Sequence, residues 1–499
     1  MTPATIIITI LAYFAVILTI SWFTGRKSDN AGFFTGNRKQ SWYIVAFAMI
    51  GSAMSGVTFV SVPGMVATSG FGYMQMALGF IAGQLVIAFV LIPLFYKMNL
   101  VSIYEYLEGR FGISTYKTGA WFFFLSKMTG ASVRLYLVCL SLQLMVFGPL
   151  GLPFHINVIV TVLILLAYTF RGGVKAVIWI DFLKTFCMIV SIVLCTLFIS
   201  KALGFTFGTM CKAVADSDMS RVFYFDDPNN PQFFFKQFFG GMFTVIAMTG
   251  LDQDMMQRSL TCKNFRDSQK NIVTSTILQT IVIFLFLVLG VLLYMFSSAA
   301  VSGTIPGAEN APALAEATGD QLFPAVATSG LLPVVVGILF VTGLVSCSYA
   351  AGGSALTALT TSFTVDILGT DGKSENQVKS TREKVHIGMA VCMGITIVIF
   401  NLLNNTSAID AVYKLASYTY GPILGLFAFG IATKRKVRDR FVPLAAIIAP
   451  VLCLILQMNS ERWFCGYKFS YELLIFNALF TYIGLPVSYT HLTLPTNRE

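Results

Sequence analysis

The chain has 499 residues, of which 56% are hydrophobic and only 11% are charged, and its mean hydropathy is +0.76. Soluble domains carry about 25% charged residues, so composition excludes a soluble enzyme or scaffold and leaves an integral membrane protein. The net charge of +10 does not mark a nucleic-acid partner, because the basic residues sit in short loops between apolar runs, as membrane orientation requires.

A membrane-crossing helix needs about 20 apolar residues. On that basis the chain reads as an all-α polytopic protein with about thirteen spans in one transmembrane domain, residues 1–485. Their expected ranges, in order, are 3–24, 41–69, 73–96, 118–147, 154–170, 175–200, 236–257, 271–296, 331–360, 385–403, 411–432, 441–458 and 470–486. The first has no basic residue before it and Arg26-Lys27 after it, and it lacks a small-residue cleavage site, so it reads as a retained helix. One set of loops holds Arg26, Lys27, Arg38, Lys39, Arg171, Lys175, Lys434, Arg435 and Lys436, whereas the opposite set holds little beyond Lys201, Lys212, Arg221, Lys414, Arg462 and Lys468. The richer side is expected to be cytoplasmic, which puts the N-terminus outside, the C-terminus inside and the protein in the cell membrane among lipid. The segment 486–499 reads as a non-native tail, a translated adaptor read-through.

The second segment is poor helix at its centre: Gly51, Ser52, Ser55, Gly56 and Thr58 crowd together, and Pro63-Gly64 follow. Freed carbonyls in hydrocarbon must find partners, so such a span is costly unless it lines a cavity. The seventh, GGMFTVIAMTGLDQDMMQR from Gly240 to Arg258, loosens at Thr249-Gly250 and ends in acids and amides. If these two open successive five-helix units, about 41–200 and 236–432, the units run in opposite directions, as in an inverted repeat. The nine cysteines are scattered, mostly in apolar runs, without C-x-x-C, and read as small buried thiols. Cys211 and Cys465 fall in loops assigned outside, where one disulfide is allowed.

Four pieces in order, GSAMSGVTFVSVPG (51–64), YTFRGGVKAVIWID (168–181), TGLDQDMMQR (249–258) and SALTALTTSFTVD (354–366), resemble the sodium/solute symporter family of sodium/galactose, sodium/proline and sodium/iodide transporters. The resemblance implies a five-plus-five inverted-repeat core with discontinuous first and sixth core helices. It also implies alternating access and sodium-driven uptake of a small solute.

In that family a sodium sits between the first core-helix break and the eighth core helix. The matching positions here are the carbonyls of Gly51 and Met54 beside Ser55, and on the eighth core helix Cys347, Ala350 and Ala351. Alanine supplies no side-chain oxygen, so sodium would be short of ligands there. Asp181 matches the family's acidic residue on the fifth core helix, and Lys184, three residues on and on the same face, stands where an amide is usual. A buried Lys needs a partner, and Asp181 is the expected one. The sharper alternative puts the Lys184 ammonium where sodium would sit, making transport proton-coupled or uncoupled.

Thr58, Gln84, Met248 and Gln253 are the candidate solute contacts. Asp252, Asp254 and Arg258 read as either a helix-surface charge pair or a polar cytoplasmic exit path. Lys127 and Arg134, seven apart on one face of the fourth helix, are expected to meet headgroups or inter-helix carbonyls, with an anionic solute as the alternative. His155 is expected at an interface and His386 in no metal pattern, and no cofactor or transition metal is expected beside a coupling sodium. No H-E-x-x-H or comparable cluster supports a membrane enzyme. A receptor, the other rival class, lacks an evident output domain.

Overall fold

The break in the second span follows from its backbone. Trp42–Ala53 (α2) stops where Met54 and Ser55 turn extended (φ −104° and −110°), and Gly56–Gly64 (α3) resumes at 60° to it. The Thr58 hydroxyl accepts the freed Ser55 amide at 3.3 Å, so one orphan donor is met within the turn. The description covers residues 3–25, 40–100, 102–305, 313–370, 372–403, 408–464 and 466–490 of the computed structural model.

Around that break the spans follow the expected order. Pro3–Gly25 (α1) precedes it; Tyr73–Val86 (α4) and Ile92–Met98 (α5), joined by a wider turn, and then Ile113–Leu142 (α6) come after it. Phe154–Ala202 (α7) holds two apolar stretches, Phe154–Phe170 and Val177–Ala202. The first runs parallel to Val334–Ser362 (α11): Leu165 lies against Gly352 and Tyr168 against Gly353. The second runs antiparallel to it, with Ser191 bonded to the Leu339 carbonyl and Cys195 near that of Val336. The chain therefore reverses between Phe170 and Val177, and α7 is the expected fifth and sixth spans.

The second half repeats the device. Phe234–Val245 (α8) widens over Ile246–Gly250, and Gln253–Ser259 (α9) leaves at 72°. Asp252 caps the new start, its carboxylate accepting from the amides of Asp254 (2.9 Å) and Met255 (3.2 Å). Phe265–Val301 (α10), α11, Glu375–Leu403 (α12), Ala408–Ala432 (α13), Val442–Trp463 (α14) and Leu473–Thr490 (α15) complete the bundle. Nine long apolar helices, two bent pairs and two shorter apolar helices account, among the described residues, for the thirteen expected spans.

Several helices outrun their predicted ends. α6 starts at Ile113, α10 covers Phe265–Val301, and α12 starts at Glu375 rather than near 385. The prediction counted apolar residues, but intrahelical bonding continues into the aqueous margin, where Glu375 and Lys379 are exposed. Of the two loop cysteines, Cys211 is a free exposed thiol and Cys465 lies outside the described residues. The segment read as a non-native tail is helical to Thr490, and residues 491–499 lie outside the described residues.

Close crossings hold the second broken span against α4. Gly79 of α4 has the Phe238 backbone of α8 where a side chain would be, and Gly241 of α8 has Met76 of α4. Without a hydrophobic drive between helices in lipid, such small-residue contacts supply the packing.

Candidate functional site

A central cavity of about 110 Å³ lies between the two breaks. Its walls include Met54, Ser55 and Thr58 from the first break, Met248 and Asp252 from the second, Lys127 and Arg134 of α6, Ala351 and Ser354 of α11, and Tyr420 of α13. On one side a vestibule of about 1,090 Å³ opens, lined by Ser61, Gln232, Asp320, Lys414, Tyr418 and Lys468 among others. These residues flank or belong to the loops assigned outside.

The cavity floor is a buried array of charges. The Lys127 ammonium lies 3.1 Å from both carboxylate oxygens of Asp252 and 2.7 Å from Asp254. Arg258 bridges Asp254 at 2.7 Å and Asp181 at 3.0 Å. Ser52 donates to Asp181 at 2.9 Å, Ser354 to Asp254 at 3.4 Å, and the Tyr420 hydroxyl to Asp252. Isolated charges cannot be held at this depth; paired and hydrogen-bonded ones can. Lys127 and Arg258 therefore answer three carboxylates.

The solute candidates divide. Thr58 and Met248 line the cavity. Gln84 is buried outside the lining, its amide oxygen without a partner among the described residues. Gln253 is also buried outside the lining, and its side-chain oxygen accepts the Ile103 amide at 2.9 Å, because the 72° bend turns it away from the cavity. Asp252, Asp254 and Arg258 form neither a surface pair nor an open path: all three are buried and closed against one another. Lys127 meets these acids rather than headgroups or carbonyls. Arg134, half-buried in the cavity wall, makes no ion pair or hydrogen bond among the described residues.

The ion candidates divide as well. Met54, Ser55 and Ala351 reach the cavity, while Gly51, Cys347 and Ala350 are buried behind it. Asp181 and Lys184 make no ion pair: Oδ2 of Asp181 takes Arg258 and Ser52, and its Oδ1 has no hydrogen-bond partner among the described residues. Lys184 is fully buried, and its ammonium has no hydrogen-bond partner among the described residues. Its stem packs toward Gly51, where a Cβ would lie 3.4 Å from its Cδ. Neither histidine faces the cavity: His155 is exposed at its helix start, and both ring nitrogens of His386 meet threonine hydroxyls, Thr169 and Thr360, at 2.8 Å. Tyr420 and Ser52 are contributors that sequence reasoning missed. Ser52 was visible only as part of the break, and nothing in the YTYG run marks Tyr420 as polar contact.

The comparisons agree with this architecture. The sequence model of the Sodium:solute symporter family matches residues 33–439. The sodium/sialic acid symporter NanT of Aliivibrio fischeri is 26% identical over 482 residues, covering 92% of this chain and 89% of that protein. Sodium-coupled monocarboxylate transporter 2 of Danio rerio is 25% identical, covering 81% of this chain and 63% of that protein. Among solved structures, a Na+-coupled sialic acid symporter in a substrate-bound outward-open state superposes with a TM-score of 0.80 at 18% identity, over 97% of each chain. The order of the spans, the breaks in the second and seventh, and a match over most of the length give one conclusion: the chain belongs to the sodium:solute symporter family.

Proposed function

We propose that this protein carries a small organic anion, with a carboxylate as the recognised group, into the cell together with sodium by alternating access between repeats at about 41–200 and 236–432. Membership of the family makes it a transporter rather than an enzyme. The observation that carries the choice of solute is Arg134. Among the described residues, every other charged side chain lining the cavity is bonded to an opposite charge, which leaves this guanidinium to receive an anion. Arg presents a planar fork that suits carboxylate. Two relatives named for sialic acid and monocarboxylates support the same class. In this reading the vestibule side is outside, the basic loops are cytoplasmic, and the structure faces outward in the plasma membrane.

Uptake into proteoliposomes with and without an inward sodium gradient, with a panel of monocarboxylates and acidic sugars, tests it. A charge-assisted hydrogen bond contributes about 1.5–3 kcal/mol, so Arg134→Gln should raise KM about ten- to a hundredfold. Equal transport of neutral analogues by the wild type, with Arg134→Gln unaltered, rejects the carboxylate.

A second reading concerns the coupling ion and is favoured by Lys184. Sodium is expected from the family, yet Ala350 and Ala351 offer it no side-chain oxygen, and a buried lysine lies beside Gly51. In that reading the Lys184 ammonium supplies the positive charge at the first break. Uptake that is steeply stimulated by sodium, equally so in Lys184→Gln, removes it.

A further inference from the structure

We propose that Lys127 is the latch of the inner gate, and that an anionic solute entering the cavity releases it. The second clause rests on the carboxylate reading above; the first does not. Lys127 lines the solute cavity, yet its ammonium is shared by Asp252 and Asp254, the residues that begin the half-helix α9. Asp252 is also the cap of that half-helix, accepting the Asp254 and Met255 amides. The lysine therefore grips the point at which α9 departs by 72° from α8.

Several contacts that close the side opposite the vestibule fall on this half-helix and the residues flanking it. Residues 253–259 are all buried. The Tyr104 hydroxyl donates to the Leu251 carbonyl at 2.9 Å, the Ile103 amide to Gln253 at 2.9 Å, and the Gln40 amide to the Thr261 carbonyl at 3.2 Å. Tyr96 donates to the Cys262 carbonyl at 3.0 Å. The vestibule opens on the other side, so movement of α9 is what opening inward requires.

The ammonium can change partners. Arg134 stands two turns further along the same face of α6 and takes no protein carboxylate. An anion held there adds negative charge to a wall that Lys127 shares. A lysine drawn toward it leaves Asp252 without a cation and Asp254 with Arg258 alone, which Asp181 also shares, so three buried carboxylates face one guanidinium and repel. The Tyr420 and Ser354 hydroxyls do not make up that deficit. Solute binding thus weakens the closed gate in proportion to its charge, which couples occupancy to opening. Lys127 is a positioning residue: it acts through α9.

Hydrogen–deuterium exchange of the purified protein reads the latch directly. Lys127→Met should speed exchange of amides 252–262 at least tenfold, with α4 and α10 amides unchanged, and Lys127→Arg should stay near wild type. Tyr420→Phe, which keeps the lysine but removes one bond to Asp252, should give a smaller rise in the same peptide and stands in if Lys127→Met does not fold. Adding propionate or N-acetylneuraminate to the wild type should raise exchange of 252–262. Unchanged protection in folded Lys127→Met, or in Tyr420→Phe as its substitute, overturns the latch. A rise in the variants with no response to either carboxylate overturns release by the anion and leaves the latch standing. A wild type that transports neither is the separate failure of the carboxylate reading.

Discussion

Asp181, Arg258 and Asp254 form a chain in which the middle guanidinium is the common partner. Removing the middle guanidinium leaves Asp181 buried without an ion-pair partner, which typically costs about 3–5 kcal/mol, whereas removing a whole pair is often tolerated. Arg258→Leu should therefore lower the melting temperature in detergent sharply, and adding Asp181→Leu should restore part of the loss. A double-mutant cycle on thermal melting measures the coupling. Additive losses would show that the two side chains do not act as a pair. These partners lie 77 residues apart, and Lys127 and Asp252 lie 125 apart. Local spacing shows only the Asp254–Arg258 pair, and even that reads as surface decoration until burial is known. The same blindness assigned Asp181 to Lys184: helix spacing puts them on one face, but a competing arginine from another helix wins.

At the scale of elements, the two breaks were legible because their cause is local. Gly51, Ser52, Ser55 and Gly56 weaken the helix where it parts, and Thr249-Gly250 precede the second break. Which side chains the bends aim at the cavity was not legible, since that depends on the 60° and 72° angles: Gln253 turned away and Asp252 did not. Gly51 also shows how tightly α2 meets α7. A Cβ there would collide with the Thr185 hydroxyl and lie 3.0 Å from the Asp181 carbonyl. Overpacking of this kind costs about 1–3 kcal/mol. Gly51→Ala should thus lower the melting temperature, and Thr185→Ala, which removes the obstructing hydroxyl, should restore part of the loss. If Gly51→Ala melts like wild type, α2 and α7 are looser than described.

The whole molecule is asymmetric across the membrane, sealed beneath α9 and open at the vestibule. Lys414 is exposed in that vestibule, while Lys468, the other lysine lining it, is answered by Glu461 at 3.2 Å. Asp320 lines the same vestibule, so the pull on an anion is local to Lys414 rather than a net charge, and salt screens it over about 8–10 Å at physiological strength. Lys414→Glu should raise KM for a carboxylate at low ionic strength and converge on wild type in high salt, as initial uptake rates will show. A KM shift independent of salt would mean direct contact instead of steering.

The vestibule end of α3 has one more property. Gly64 abuts the backbone of Gly319 with no room for a side chain, and Tyr294 clamps both, donating to the Gly64 carbonyl at 2.6 Å and accepting the Gly319 amide at 3.2 Å. A surface turn is thereby mechanically continuous with the unwound span at the heart of the carrier. An antibody fragment gripping that turn would never need to enter the permeation route to stall it, because immobilising the turn immobilises the hinge.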